Sequence, residues 1–73
     1  MRFYIHWYVD NLPTVQADSE TAAKNAIQER FPDAQFDGRV PVMLRQGGSI
    51  TGAKESIRAT VAAKMVADIL IFE

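Results

Sequence analysis

The sequence predicts a two-layer α+β domain: an antiparallel or mixed sheet of three to five strands, with two helices packed on one face. Three observations predict it. "RFYIHWYVD" (residues 2–10) alternates with period two, the pattern of a half-buried strand. "ETAAKNAIQERF" (20–31) repeats apolar residues at helical spacing between a serine and a proline. "GAKESIRATVAAKM" (52–65) is rich in Ala, Lys, Glu, Arg and Met, all good helix formers.

In the first strand Phe3, Ile5, Trp7 and Val9 share one face, and Tyr4, His6, Tyr8 and Asp10 share the other. The first set is a core face, with Trp7 buried and Tyr8 outside it. "DNLP" (10–13) is a turn signal. "TVQA" (14–17) reads as a short strand returning beside the first; as a loop, it would leave a βαββαβ order. Ser19 is a good N-cap and Glu20 suits the first turn. Ala23, Ala26, Ile27 and Phe31 then form a thin apolar stripe, Glu20 and Lys24 make an i,i+4 pair, and Pro32 ends the helix. "AQFDGRVPVMLRQ" (34–46) holds a second alternation, with Val40, Val42 and Leu44 on one side and Arg39, Pro41, Met43 and Arg45 on the other. Pro41 cannot donate to a ladder, which places this strand at an edge or a bulge. "QGGS" (46–49) is a turn.

Residues 52 to about 66 read as a second helix, with Ile50, Ile57, Val61 and Met65 as its stripe. A competing alternation sets Ile57, Ala59, Val61, Ala63 and Met65 against Ser56, Arg58, Thr60 and Lys64. Length and alanine content favour the helix. "DILIFE" (68–73) is apolar on both faces, as a strand internal to a sheet requires.

At 73 residues the chain is expected to be one domain, residues 1–73. A core this small rarely supplies more than roughly 3–5 kcal/mol of net stability. The absence of cysteine removes disulfides and thiolate metal sites, and with one histidine it excludes zinc-finger spacing. Association with a partner or with a second copy is thus an expected route to stability. No leader segment is read at the start, because no cleavable apolar run follows Arg2. The longest apolar run, "ADILIF", is too short to span a bilayer. A cytoplasmic protein without membrane attachment is the expectation. The formal net charge of −1 gives no global attraction to nucleic acid.

The motifs argue against catalysis. "GGSITGAK" spaces Gly47 and Gly52 as a phosphate loop does, but Ala53 occupies the lysine position. Lys54 comes one residue late, about 100° away on a helix. His6 has no carboxylate to orient it along its own strand, since Asp10 lies about 13 Å away in extended chain. The acidic residues form no i,i+3 or i,i+4 pair on a helix face. A half-buried or interfacial histidine is the simpler account. We therefore expect no enzyme activity, no metal and no cofactor.

Helices packed against Phe3, Trp7, Val40, Val42 and Leu44 would leave the other sheet face with Arg2, Tyr4, His6, Tyr8, Arg39, Met43 and Arg45. Tyr, Arg and Met are enriched at interface hot spots. Aromatic and arginine side chains also stack bases and hold phosphates. The expected function is a non-catalytic protein-binding module, an inhibitor or adaptor, that uses this face on a protein partner or its own copy. The alternative is a single-stranded nucleic-acid binder using the same face. An ordinary solvated sheet face, where aromatic pairs merely stabilise the strands, is the plain reading. In size and build, though by no motif, the chain is similar to small accessory proteins of phages and plasmids, including inhibitors of host defence such as anti-CRISPR proteins.

Overall fold

Alternation in the first segment produces β1 (Arg2–Trp7), and β2 (Val15–Ala17) returns antiparallel to it with Phe3 opposite Ala17 and Ile5 opposite Val15. Between them Asp10 and Asn11 adopt positive φ, and Leu12 N–H donates to Val9 O at 3.3 Å to close the turn. Ser19 then caps α1 (Glu20–Arg30), its Oγ accepting from Ala22 N–H at 3.0 Å. Ala23 and Ile27 are fully buried from this helix, and the chain leaves it at Phe31, before Pro32. After α1 come two short strands, β3 (Gln35–Phe36) and β4 (Val40–Pro41). A long hairpin follows, β5 (Glu55–Val61) and β6 (Lys64–Phe72). This is a computed structural model, and it describes residues 1–42 and 52–73.

The strands form one antiparallel sheet in the order β2-β1-β6-β5-β3, with β4 also pairing β5 beside β3. One face packs on α1. Cross-strand partners share a face, so Phe3 lies beside Ile71, Ile5 beside Ile69, and Ile69 beside Ile57. With Ala23, Ile27, Ala59 and Ala67 these residues are the core. β6 runs between β1 and β5, so both its edges are paired, and every residue from Val66 to Ile71 is buried.

The expected α+β arrangement, with two helices on a sheet of three to five strands, is corrected here. The described residues hold six strands and a single helix, and the fold is mostly β. Residues 55–72 are a hairpin, not a helix. The alternation from Ser56 to Val61 prevails over helix propensity because pairing with β6 buries Ile57 and Ala59, and burial outweighs a few tenths of a kcal/mol per residue of propensity. The hairpin turns at Ala62 and Ala63, both at positive φ. Beyond the turn, Thr60 pairs Met65 and Ala59 pairs Ala67, which leaves Val66 as the extra residue of a β-bulge. The bulge lets Val66 and Ala67 both enter the core.

The second alternation has the opposite phase from the one expected. Val40 pairs Ser56, on the face away from α1, and Pro41 pairs Glu55, on the helix side. A one-residue change of register exchanges the two faces of a strand, and the alternation alone does not set that register. Met43, Leu44 and Arg45 lie outside the described residues, as do Ile50 and most of "GGSITGAK". Lys54 of that motif pairs with Glu73 at 2.6 Å.

Candidate functional site

The face of the sheet away from α1 carries Arg2, Tyr4, His6 and, just past the strand, Tyr8. Its centre is buried, with Ser56, Leu70 and Asp68 at 1%, 4% and 5% exposure, whereas Arg2 and Tyr8 at its ends are exposed. The register extends each of these side chains into a row across the sheet. Arg2 lies opposite Phe72, Tyr4 lies between Leu70 and Gln16, and His6 is opposite Asp68, itself opposite Arg58. At one end the rings of Tyr4 and Phe72 meet edge to face, 5.3 Å apart, and the Arg2 guanidinium lies over Phe72 at 5.2 Å. At the other end the His6 and Tyr8 rings meet edge to face at 4.9 Å. Edge-to-face pairs of this kind contribute about 0.5–1.5 kcal/mol beyond area burial.

The middle row is polar. Asp68 is 5% exposed, and the Tyr8 hydroxyl donates to its Oδ2 at 2.7 Å. His6 Nδ1 lies 3.3 Å from Thr14 Oγ1. Ser56 Oγ and Arg58 Nε are buried and meet no hydrogen-bond partner among the described residues. Leaving such a group unsatisfied costs about 1–3 kcal/mol. The site is therefore a polar centre flanked by two aromatic ends. Among the described residues no group of three His, Asp or Glu could hold a metal ion.

Of the seven residues expected on this face, the fold brings Arg2, Tyr4, His6 and Tyr8 together. It places Arg39 elsewhere. Arg39 donates to Glu20 Oε1 from Nε at 3.0 Å and from Nη2 at 2.7 Å, and it reaches Glu55 at 3.3 Å, on the helix side. It clamps the start of α1 to the β5 edge, and its assignment to the open face is corrected by the register of β4. Met43 and Arg45 fall outside the described residues. Asp68, Arg58 and Phe72 belong to the face without having been assigned to it. The signal for Asp68 was present, because a lone carboxylate inside the apolar run "ADILIF" needs a partner. Trp7 points to the helix side but is only half-buried, with the Arg30 guanidinium 5.6 Å above its ring.

Trp7 also opens onto a cleft of ≈ 280 Å³ between the β1–β2 turn and α1. Leu12, Pro13 and Val15 wall it on the hairpin side, and Ala26 and Arg30 face them from the helix.

No protein-family model, no curated protein and no solved structure matches this chain. No helix among the described residues is long and apolar enough to cross a membrane.

Proposed function

We propose that the chain is a small, non-catalytic protein-binding module, an inhibitor or adaptor, whose open sheet face docks on a protein partner or on a second copy of itself. One observation carries the reading. Arg2, Tyr4, Phe72 and Tyr8 lie at the two accessible ends of the sheet face away from α1, around a buried centre, and aromatic and arginine side chains are enriched at interfaces. A cytosolic setting accords with the cysteine-free composition. Binding to single-stranded nucleic acid is the second reading. It is favoured by the cation-on-ring pair of Arg2 and Phe72 and opposed by Asp68 at the centre of the face.

The test variant combines Arg2→Glu with Tyr4→Ala. Tyr8 is spared because its hydroxyl holds a buried carboxylate. Circular dichroism at 25 °C should stay near wild type, and Tm should fall only by the several degrees that loss of the Tyr4–Phe72 pair entails. Capture of the native partner, or concentration-dependent mass in sedimentation, should be lost by more than about a hundredfold in affinity. Retention at wild-type strength would leave the face as plain solvated sheet. A protein partner keeps its affinity between 50 and 200 mM salt, whereas an oligothymidylate probe would lose affinity steeply if phosphates were the ligand.

A further inference from the structure

Hydrogen bonding in an antiparallel ladder fixes which groups of β2 face outward. Tyr8 N–H donates to Val66 O at 2.9 Å, so the even residues of β1 bond toward β6, and Phe3 and Ile5 bond toward β2. Their partners Ala17 and Val15 therefore spend their N–H and C=O inside the sheet. Gln16 turns both of its groups outward, where no strand among the described residues meets them. The opposite side of the sheet differs: β3 and β4 together line β5 there, and Pro41 blunts β4.

The cleft beside β2 is an independent observation. Val15, 42% exposed, belongs both to the strand edge and to the cleft wall. A strand added beyond β2 would bond to Gln16 and set its residue opposite Val15 on the helix side, over the cleft. A second copy of this chain does not suit the space. Two β2 strands paired about Gln16 would bring only the Ala17 methyl against Val15, too little for a volume of ≈ 280 Å³. Arg30, at the rim, makes no ion pair among the described residues. Glu29, the residue before it, also lines the cleft and disfavours more than one added carboxylate.

We infer that the outer edge of β2 is a strand-addition site for an extended segment of a partner protein. The segment bears an Ile, Leu or Phe opposite Val15 and one carboxylate two residues away, on the same side, for Arg30. This site is separate from the open face, and a chain holding both can bridge two proteins.

Random eight-residue peptides displayed on phage provide the probe. Selection on the wild-type protein should enrich an aliphatic or aromatic residue spaced by two from an Asp or Glu. A synthetic peptide of that sequence should protect the Gln16 amide from hydrogen exchange and change Trp7 fluorescence. Gln16→Pro removes an N–H that the fold does not use, and Ala26→Leu fills the cleft from the helix. Each should weaken binding at least about tenfold, the equivalent of one lost hydrogen bond or one excluded side chain. The Arg2→Glu, Tyr4→Ala variant should bind the peptide normally. Three results would overturn the inference: no enrichment over the unselected library, binders indifferent to both Gln16→Pro and Ala26→Leu, or a dimer that Gln16→Pro dissolves.

Discussion

The β1–β2 connection and the β5–β6 turn each hold two consecutive residues at positive φ, with opposite chemistry. Asp10 and Asn11 sit at φ 57° and 50°, and Ala62 and Ala63 sit at φ 50° and 68°. Asp and Asn enter the left-handed region readily because their short polar side chains bond locally. Alanine has no such relief and costs about 1–2 kcal/mol per residue there. The cheap turn joins a three-residue edge strand to the sheet, and the costly one joins the two longest strands. A turn can be poor where the strands on either side bury enough. Ile57, Ala59, Ala67, Ile69 and Ile71 are each no more than 2% exposed, whereas Val15 is 42% exposed. Local chemistry matters most where burial contributes least.

The largest test of that comparison removes burial from each hairpin in turn. Ile69→Ala in β6 should cost about 2–5 kcal/mol, enough to unfold a domain of this size. Val15→Ala in β2 should stay within about 0.5 kcal/mol. Denaturant titrations giving the two similar costs would remove the contrast between central and edge hairpin. A smaller effect comes from exchanging the turn chemistry. Ala62→Asn with Ala63→Gly should stabilise by about 1–2 kcal/mol and raise Tm by about 4–8 °C per kcal/mol. Asp10→Ala with Asn11→Ala should lower Tm by less, since β2, the strand this connection brings in, has no fully buried residue. A Tm unchanged by the Asn-Gly replacement would mean that the alanines are not strained.

The smallest effect is a control outside both hairpins. Arg39, and then Lys24, hold the Glu20 carboxyl below its ordinary value by hydrogen bonding to the charged form. A depressed carboxyl stabilises the fold above its unfolded value and ceases to do so as pH falls through the folded one. Glu20→Gln should therefore flatten part of the acid limb of the stability curve and change little at neutral pH beyond the loss of a screened surface pair. An acid limb identical to wild type would show that the clamp is energetically silent.

The legible parts of the fold are those whose local chemistry agrees with their tertiary role. Ser19 and Pro32 bracket α1, the "DNLP" turn precedes β2, and Pro41 falls on an edge strand, each for a reason carried by a few residues. In the β5–β6 hairpin "DILIFE" forms a strand internal to the sheet as its apolar run predicts, but β5 and the turn after it were illegible for three physical reasons. Its composition favours helix, its turn lacks Asn or Gly, and the Val66 bulge breaks the alternation, so that Ala63 and Met65 leave the apolar set they appeared to extend. The face of β1 could be read because alternation within one strand is self-contained. Which side of the sheet Arg39 and Val40 join depends on pairing with β5, a strand that was itself misread as helix.

The place of β6 between β1 and β5 has a consequence for how the molecule is made. Until Lys64–Phe72 has been synthesised, two strands that end up in one sheet have nothing to join them. Ile5 and Ile57 wait in a nascent chain with their future neighbour absent. Sheet assembly on the ribosome is thus held back until β6 emerges. It must then bring together segments more than sixty residues apart, the kind of long-range closure that slows folding. In that interval the edges of β1 and β5 that β6 will pair stay bare, the condition that makes an incomplete sheet prone to aggregate.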